Sequence, residues 1–170
     1  IKTIIMILQH KCLIIIDPWA RHGPRETYTK IILLLERIKY PVVMVNYDKQ
    51  PYTYIERACR NGTNQMPCNN GVGSYNYSNR ITTNNESIFL RFLIHNNITE
   101  LYYCGVSFPG CVWHRPLGMQ YMQDKFKCSV IIDLCDNNYT QGSIIDKIHS
   151  QYRSAKFRNI PVKYSNEIYS

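Results

Sequence analysis

Residues 100–119 read ELYYCGVSFPGCVWHRPLGM, and the rest of the chain is organised around this stretch. It opens with an apolar run at 101–104 that predicts a buried strand, is broken by glycine and proline at 105–110, and resumes at Cys111 as the start of a helix. The N–H groups and partial positive charge of a helix N-terminus lower a thiol pKa and can hold an oxyanion. We therefore predict that Cys111 is, or descends from, a catalytic nucleophile; the alternative is a buried structural thiol.

Apolar runs alternate along the chain with apolar residues at helical spacing. The runs predict strands at 11–17, 42–47, 101–106, 128–133 and, at the sheet edge, 160–164, and the spaced patterns predict helices at 27–39, 86–96, 111–125 and 141–157. Continuous apolar runs are typical of parallel strands buried on both faces. The sequence therefore predicts an α/β three-layer sandwich with a mainly parallel central sheet flanked by helices.

The length of 170 residues suits a single domain, which we predict to span 1–170. Residues 48–83 are rich in proline, glycine, asparagine and tyrosine, and they lack a sustained apolar pattern. A structureless connector of this length is uncommon in a compact domain, so we predict that this segment forms a lid or a wall of the site.

The net charge of +8 comes from Lys and Arg residues that are scattered along the chain. The densest group lies near the C-terminus and consists of Lys147, Arg153, Lys156, Arg158 and Lys163. Proteins that bind nucleic acid concentrate their charge, so this pattern favours a solvated basic face and argues against a nucleic-acid partner. Association of the basic C-terminal helix with nucleic acid is the weaker alternative.

The seven cysteines argue against a complete disulfide framework, because their number is odd. No Cys-x-x-Cys pair occurs, which argues against a zinc ribbon, and only Cys59 and Cys68 are candidates for a disulfide. This usage predicts a reducing, cytoplasmic location. The apolar run at residues 1–8 is too short to span a bilayer, so we predict no membrane association.

Asp17 ends the first predicted strand, next to Pro18. The carboxyl ends of parallel strands meet at one edge of a sheet, and ligands bind at that edge. A carboxylate beside Cys111 would act as its general base and later return the proton to the leaving group. The alternative is a carboxylate that caps a turn.

A resemblance to a known family rests on the order of these features. A strand ending in Asp17, a helix, the pattern Gly105-Val-x4-Cys111-Val and a strand ending in Asp133 together resemble the isochorismatase-like cysteine hydrolases, which include nicotinamidases. The resemblance covers residues 11–167. The run Cys-Val-x-x-Arg-Pro-x-Gly that starts at Cys111 is similar to a subset of this superfamily.

The resemblance implies an Asp-Lys-Cys triad with Asp17 as the base and Cys111 as the nucleophile. It implies cleavage of an amide, C–N or ester bond of a small molecule through a thioester, with no cofactor, in a homo-oligomer. It also implies a cis peptide bond between Val106 and Ser107, and an oxyanion site formed by the backbone of Val106, Ser107 and Cys111.

The chain departs from the family pattern at two points. The position of the family's lysine falls at or near Ser78, and Arg80 is the predicted stand-in, since arginine can clamp a carboxylate although it cannot carry a proton. The Asp-x-His of nicotinamidases is replaced by Asp48-Lys49-Gln50, so the sequence predicts no metal site.

Two tryptophans and an arginine near the predicted strand ends are candidates for the substrate pocket: Trp19, Trp113 and Arg115. The tryptophans would line the pocket or fill the core, and the arginine would clamp a carboxylate or form a structural salt bridge. We predict a cysteine hydrolase. The alternative, favoured by the missing lysine, is a catalytically inactive protein of this fold retained for assembly or protein interaction.

Overall fold

Within the described part of the chain, six strands form one sheet, and every neighbouring pair in it is parallel. A computed structural model describes residues 10–18, 26–47, 79–136 and 142–169. The strand order is β3-β2-β1-β4-β5-β6. The strands are β1 Lys11–Ile16, β2 Val42–Val45, β3 Arg80–Thr83, β4 Glu100–Val106, β5 Lys127–Asp136 and β6 Val162–Lys163.

Five α-helices and one short 3₁₀ helix accompany the sheet in the described ranges. They are α1 Glu26–Leu35, α2 Glu86–His95, α3 Gly110–His114, α4 Met119–Met122, α5 Ile144–Phe157 and the 3₁₀ helix Ser165–Glu167. The predicted α/β architecture is confirmed. No helix among these residues has the length and apolar character needed to cross a bilayer.

The core of the molecule is centred on β1. Every residue from Cys12 to Ile16 is fully buried, and every residue of β2 is buried as well. Successive strand residues point to opposite faces, so complete burial means that both faces of the sheet are covered. This is the three-layer arrangement that the uninterrupted apolar runs predict.

The prediction of an irregular segment at 48–83 is wrong at its C-terminal end. Residues 80–83 form β3, which pairs with β2 from Val42↔Arg80 to Val45↔Thr83. The strand is only four residues long and starts with a charged residue, so it carries no apolar run that would reveal it. Residues 48–78 lie outside the described part of the chain, and a lid there stays a prediction, as does the single-domain span.

The helix predicted at 111–125 is interrupted. Proline has no N–H to donate, and it restricts the preceding residue to extended backbone. Arg115, which precedes Pro116, accordingly has φ −59° and ψ 152° and ends α3, and α4 starts only at Met119. The interruption takes the Arg115 side chain out of helical register.

Candidate active site

Asp17 and Cys111 meet at the carboxyl edge of the sheet. Asp17 follows β1 and is fully buried, and Cys111 is the second residue of α3, which follows β4. β1 and β4 are neighbours, with Ile16 opposite Gly105, so the two segments leave the sheet side by side. Asp17 lies close enough to Cys111 for its carboxylate to raise the pKa of the thiol through hydrogen bonding and charge.

The backbone of Asp17 is held by two neighbouring elements. Its N–H donates to the Val45 carbonyl at 2.9 Å, and the Tyr28 hydroxyl donates to the Asp17 carbonyl at 3.2 Å. The residue has φ 51°, a left-handed conformation that Asp adopts more readily than most residues. β2 and α1 thus fix the direction in which the carboxylate leaves the end of β1.

The turn between β4 and α3 contains two cis peptide bonds, Val106–Ser107 and Phe108–Pro109. The first lies where the resemblance implies one. The Ser107 carbonyl accepts a hydrogen bond from the Val112 N–H at 3.0 Å, and the Ser107 backbone lowers the pKa of the Cys111 thiol. The Ser107 backbone therefore lies close to the thiol, and its oxyanion role stays a prediction.

Two glycines allow this turn to pack closely. Gly105 has φ 125°, and a Cβ there would overlap the Ile16 carbonyl of the neighbouring strand. A Cβ on Gly110 would lie 2.7 Å from the Ser107 Oγ. The glycines that mark the break in the sequence are thus needed for the path of the chain beside the thiol.

The cation beside Asp17 is Arg115. Its Nε donates to Asp17 Oδ2 at 2.8 Å, and its side chain is 30% exposed whereas Asp17 is fully buried. The guanidinium carbon lies 4.9 Å from the centre of the Tyr47 ring, a cation–π contact. Sequence reasoning missed Tyr47, although its place just after β2 puts it at the same edge as Asp17 and was a usable signal.

The predicted role of Arg80 beside the catalytic pair is wrong. Arg80 opens β3 opposite Val42, the first residue of β2, whereas Asp17 lies beyond the last residues of these parallel strands. Three strand residues correspond to about 10 Å. The Arg80 guanidinium instead donates to the Leu35 carbonyl at the end of α1, at 2.6 Å. The residue at the carboxyl end of β3 is Thr83, which is buried and uncharged.

The expectation of a lowered Cys111 pKa is also wrong. Burial raises the pKa of the Cys111 thiol, and the hydrogen bond and negative charge of Asp17 raise it further. The positive charge of Arg115 and the Ser107 N–H lower it, but they do not prevail. A helix of five residues has a weak macrodipole, so desolvation and the nearby carboxylate dominate.

Of the two tryptophans, Trp113 lies in the described part of the chain. The Trp113 ring contacts the guanidinium of Arg158, which follows α5, at 5.2 Å. Trp19 lies outside the described residues. A pocket-lining role for either tryptophan stays a prediction.

Within the described ranges, no group of three or more His, Cys, Asp or Glu side chains could hold a metal ion. Asp48, Cys59 and Cys68 lie outside those ranges. The described cysteines are free thiols: Cys12, Cys104, Cys111, Cys128 and Cys135.

A cleft of about 920 Å³ lies elsewhere, along α5 and β6. Its lining includes Tyr152, Lys156 and Tyr164 and none of the predicted site residues. The cleft and the predicted catalytic residues therefore lie in different parts of the molecule. The chemistry is the better guide, because a half-buried thiol, a fully buried carboxylate and a cation meet at the Asp17 edge.

Comparison with solved structures supports the same fold. The structure is similar to an isochorismatase hydrolase from Oleispira antarctica, with 13% identity, a TM-score of 0.53 and coverage of 94% of this chain and 96% of that chain. It is similar to a nicotinamidase/pyrazinamidase from Acinetobacter baumanii, with 12% identity, a TM-score of 0.53 and coverage of 94% and 98%. A cysteine hydrolase from Pseudomonas syringae pv. phaseolicola 1448A aligns with 9% identity, a TM-score of 0.57 and coverage of 94% and 91%.

The chain has the isochorismatase-like hydrolase fold. No model of a protein family matches the sequence, and no curated protein sequence matches it either. Identities of 9–13% establish a shared fold and leave the chemistry to be argued from the residues of the site.

Proposed function

We propose that the protein is a cysteine hydrolase that cleaves an amide, C–N or ester bond of a small molecule through a thioester on Cys111. The observation that supports this most directly is that Cys111 and the fully buried Asp17 follow the carboxyl ends of the neighbouring strands β4 and β1, where Asp17 acts on the pKa of the thiol. A nucleophile beside its base, with the base oriented by a third group, is the arrangement that covalent catalysis uses.

The first half of the reaction forms the thioester. The raised pKa keeps the Cys111 thiol protonated at rest, so the sulfur attacks the substrate carbonyl carbon as its proton passes to Asp17. The carbonyl oxygen becomes an oxyanion and accepts hydrogen bonds from the N–H groups of Ser107 and Cys111. Asp17 then gives its proton to the leaving amine or alcohol, and the acyl group stays on sulfur.

The second half releases the acid. Asp17, again a carboxylate, takes a proton from water as the water oxygen attacks the thioester carbonyl. The carbon–sulfur bond breaks, the proton returns to the Cys111 sulfur, and the carboxylic acid leaves. No oxidant, reductant or further co-reactant is needed, so the resting state is restored after each turnover.

The substrate class follows from the fold only in outline. One similar structure is a nicotinamidase/pyrazinamidase and another is a cysteine hydrolase, so small primary carboxamides and simple esters are the first substrates to test. We also propose a homo-oligomer, which the exposed apolar residues Ile144, Ile145 and Phe157 of α5 support, and a cytoplasmic location, which the free thiols in the described ranges support.

The test is hydrolysis of a panel of carboxamides and aryl esters, measured by the release of ammonia or phenol. We expect turnover by the native sequence and a loss of at least about 100-fold in Cys111→Ala and Asp17→Asn, because one removes the nucleophile and the other the base. Cys128→Ala is the matched control, since it removes a buried thiol outside the site.

The alternative function is an inactive protein of this fold retained for assembly or interaction. It is favoured by the absence of any lysine between Lys49 and Lys125. It predicts no turnover across the panel and equal behaviour of the native sequence, Cys111→Ala and Asp17→Asn. That outcome would contradict the proposed hydrolase activity.

A further inference from the structure

We infer that Arg115 is the positioning residue of this site: its guanidinium, bonded to Asp17 and stacked on Tyr47, does for the carboxylate what a lysine does in similar hydrolases. The inference rests on the proposed function and deepens it. It places the required cation on the segment that carries the nucleophile, because β3 has no lysine. The geometry that supports it consists of one ion pair, one ring contact and one backbone break.

The ion pair joins a fully buried acid to a partly exposed base. The distance from Arg115 Nε to Asp17 Oδ2 is 2.8 Å, within the range of a charge-assisted hydrogen bond. A carboxylate without accessible surface needs a nearby countercharge, and arginine stays charged at every relevant pH. By holding Oδ2, Arg115 sets the orientation of the carboxylate toward the Cys111 thiol.

The ring contact restricts the guanidinium. A free arginine side chain has many rotamers, whereas one that lies on a tyrosine face is held in a plane. Tyr47 supplies that face at 4.9 Å, and its hydroxyl is buried. Asp17, Arg115 and, on α2, Glu86 are the charged groups that act on Tyr47. Tyr47 thus restricts the guanidinium that binds Asp17.

The backbone break puts Arg115 where these contacts form. Pro116 requires extended backbone at Arg115, and Gly118 allows the chain to turn back tightly. A Cβ on Gly118 would lie 2.8 to 2.9 Å from the carbonyl oxygens of Val112, Trp113 and Arg115. The Arg-Pro-x-Gly run is therefore a structural unit that carries the cation, and not simply the end of a helix.

The charges of Arg115 and Asp17 act on Cys111 in opposite directions. Asp17 raises the pKa of the thiol and Arg115 lowers it. Alkylation of Cys111 by iodoacetamide as a function of pH measures the balance without a known substrate. Labelling of the folded chain, followed by peptide mass spectrometry, gives the midpoint for this thiol alone.

Two pairs of variants test the inference. Arg115→Met should move the Cys111 midpoint to higher pH by about one unit, and Arg115→Lys should stay close to the native value, because it keeps the charge. Tyr47→Leu should move the midpoint in the same direction as Arg115→Met, and Tyr47→Phe, which keeps the ring, should not. An unchanged midpoint in Arg115→Met, or equal shifts in Arg115→Lys and Arg115→Met, would overturn the inference.

A double-mutant cycle separates this inference from the proposed function. Asp17→Asn should move the Cys111 midpoint to lower pH, and Arg115→Met should have a smaller effect in that background, because Arg115 has lost its partner. An equal effect of Arg115→Met in both backgrounds contradicts the positioning role alone. An Asp17→Asn midpoint identical to the native one contradicts the coupling of Asp17 and Cys111, and with it the proposed function.

Discussion

At the scale of single residues, the Cys111 thiol lies between two opposite influences. Desolvation and Asp17 keep it protonated, and Arg115 and the Ser107 N–H favour the thiolate. The first pair prevails and the pKa is raised, so this site differs from one that holds a thiolate before the substrate binds. In the proposed reaction the nucleophile forms only as Asp17 takes the proton, so reactivity should depend on how the carboxylate is placed beside the thiol.

The first prediction concerns the order in which the thiols react. Cys111 is half-buried, and the other described cysteines are buried with pKa values raised more strongly, for Cys128 to about 12. In the native fold Cys111 should therefore be alkylated before Cys12, Cys104, Cys128 and Cys135, with a midpoint above the ordinary thiol value of about 8.5.

Isotope-coded iodoacetamide, quantified for each peptide across pH, checks this prediction. Labelling in denaturant serves as the control, because all thiols should then react alike. A Cys111 midpoint below the ordinary value would show that the helix N-terminus outweighs burial and Asp17, contrary to the structure.

Sequence position could point to Asp17 and Cys111, because Asp17 ends a predicted strand and Cys111 starts the helix predicted after another strand. The Arg115 contact could not be identified in this way. It depends on a helix break that brings together residues 98 positions apart, and the family resemblance instead pointed to Arg80 as the cation.

At the scale of elements, apolar patterning predicted β1, β2, β4, α1 and α2 to within a few residues. It failed where the apolar residues of a helix are not the ones that are buried. In α5 the apolar residues Ile144, Ile145 and Tyr152 are exposed, whereas Gln151 and Ala155 are buried. Gln151 donates from Nε2 to the Cys135 carbonyl at 3.1 Å, so a polar side chain provides the hydrogen bond of a backbone carbonyl near the end of β5.

The second prediction concerns the break between α3 and α4. Pro116→Ala restores a backbone donor and removes the restriction on Arg115, so the helix can continue and Arg115 can leave Asp17. We expect the Cys111 alkylation midpoint to rise toward that of Arg115→Met. Pro161→Ala, beside the edge strand β6, is the matched control and should leave the midpoint unchanged. A native midpoint in Pro116→Ala would show that proline does not place Arg115.

At the scale of the whole molecule, the sheet brings chemistry from distant parts of the sequence to one edge. Parallel strands place Asp17, Tyr47 and the Cys111 segment together because each follows the carboxyl end of a strand. The fold could be predicted from the sequence for this reason: long apolar runs determine the sheet, and the sheet determines where its carboxyl edge lies. The short strand β3 carries no such run.

The third prediction concerns the core that supports this edge. Ile15 is fully buried in the middle of β1, two residues before Asp17, whereas Leu33 on α1 is 51% exposed. Ile15→Ala should lower the free energy of unfolding by about 2–5 kcal/mol, and Leu33→Ala by less than about 0.5 kcal/mol. Chemical denaturation measures both values. Equal losses would contradict the placement of the core on β1.

The most direct test of the central claim, that Asp17 activates Cys111 as a nucleophile, is the intact mass of the protein after brief exposure to an activated aryl acetate. We expect one acetyl group, mapped to Cys111, in the native sequence, none on that peptide in Cys111→Ala, and much slower acetylation in Asp17→Asn. Acetyl groups spread over several residues, or equal rates in the native sequence and Asp17→Asn, would contradict the account.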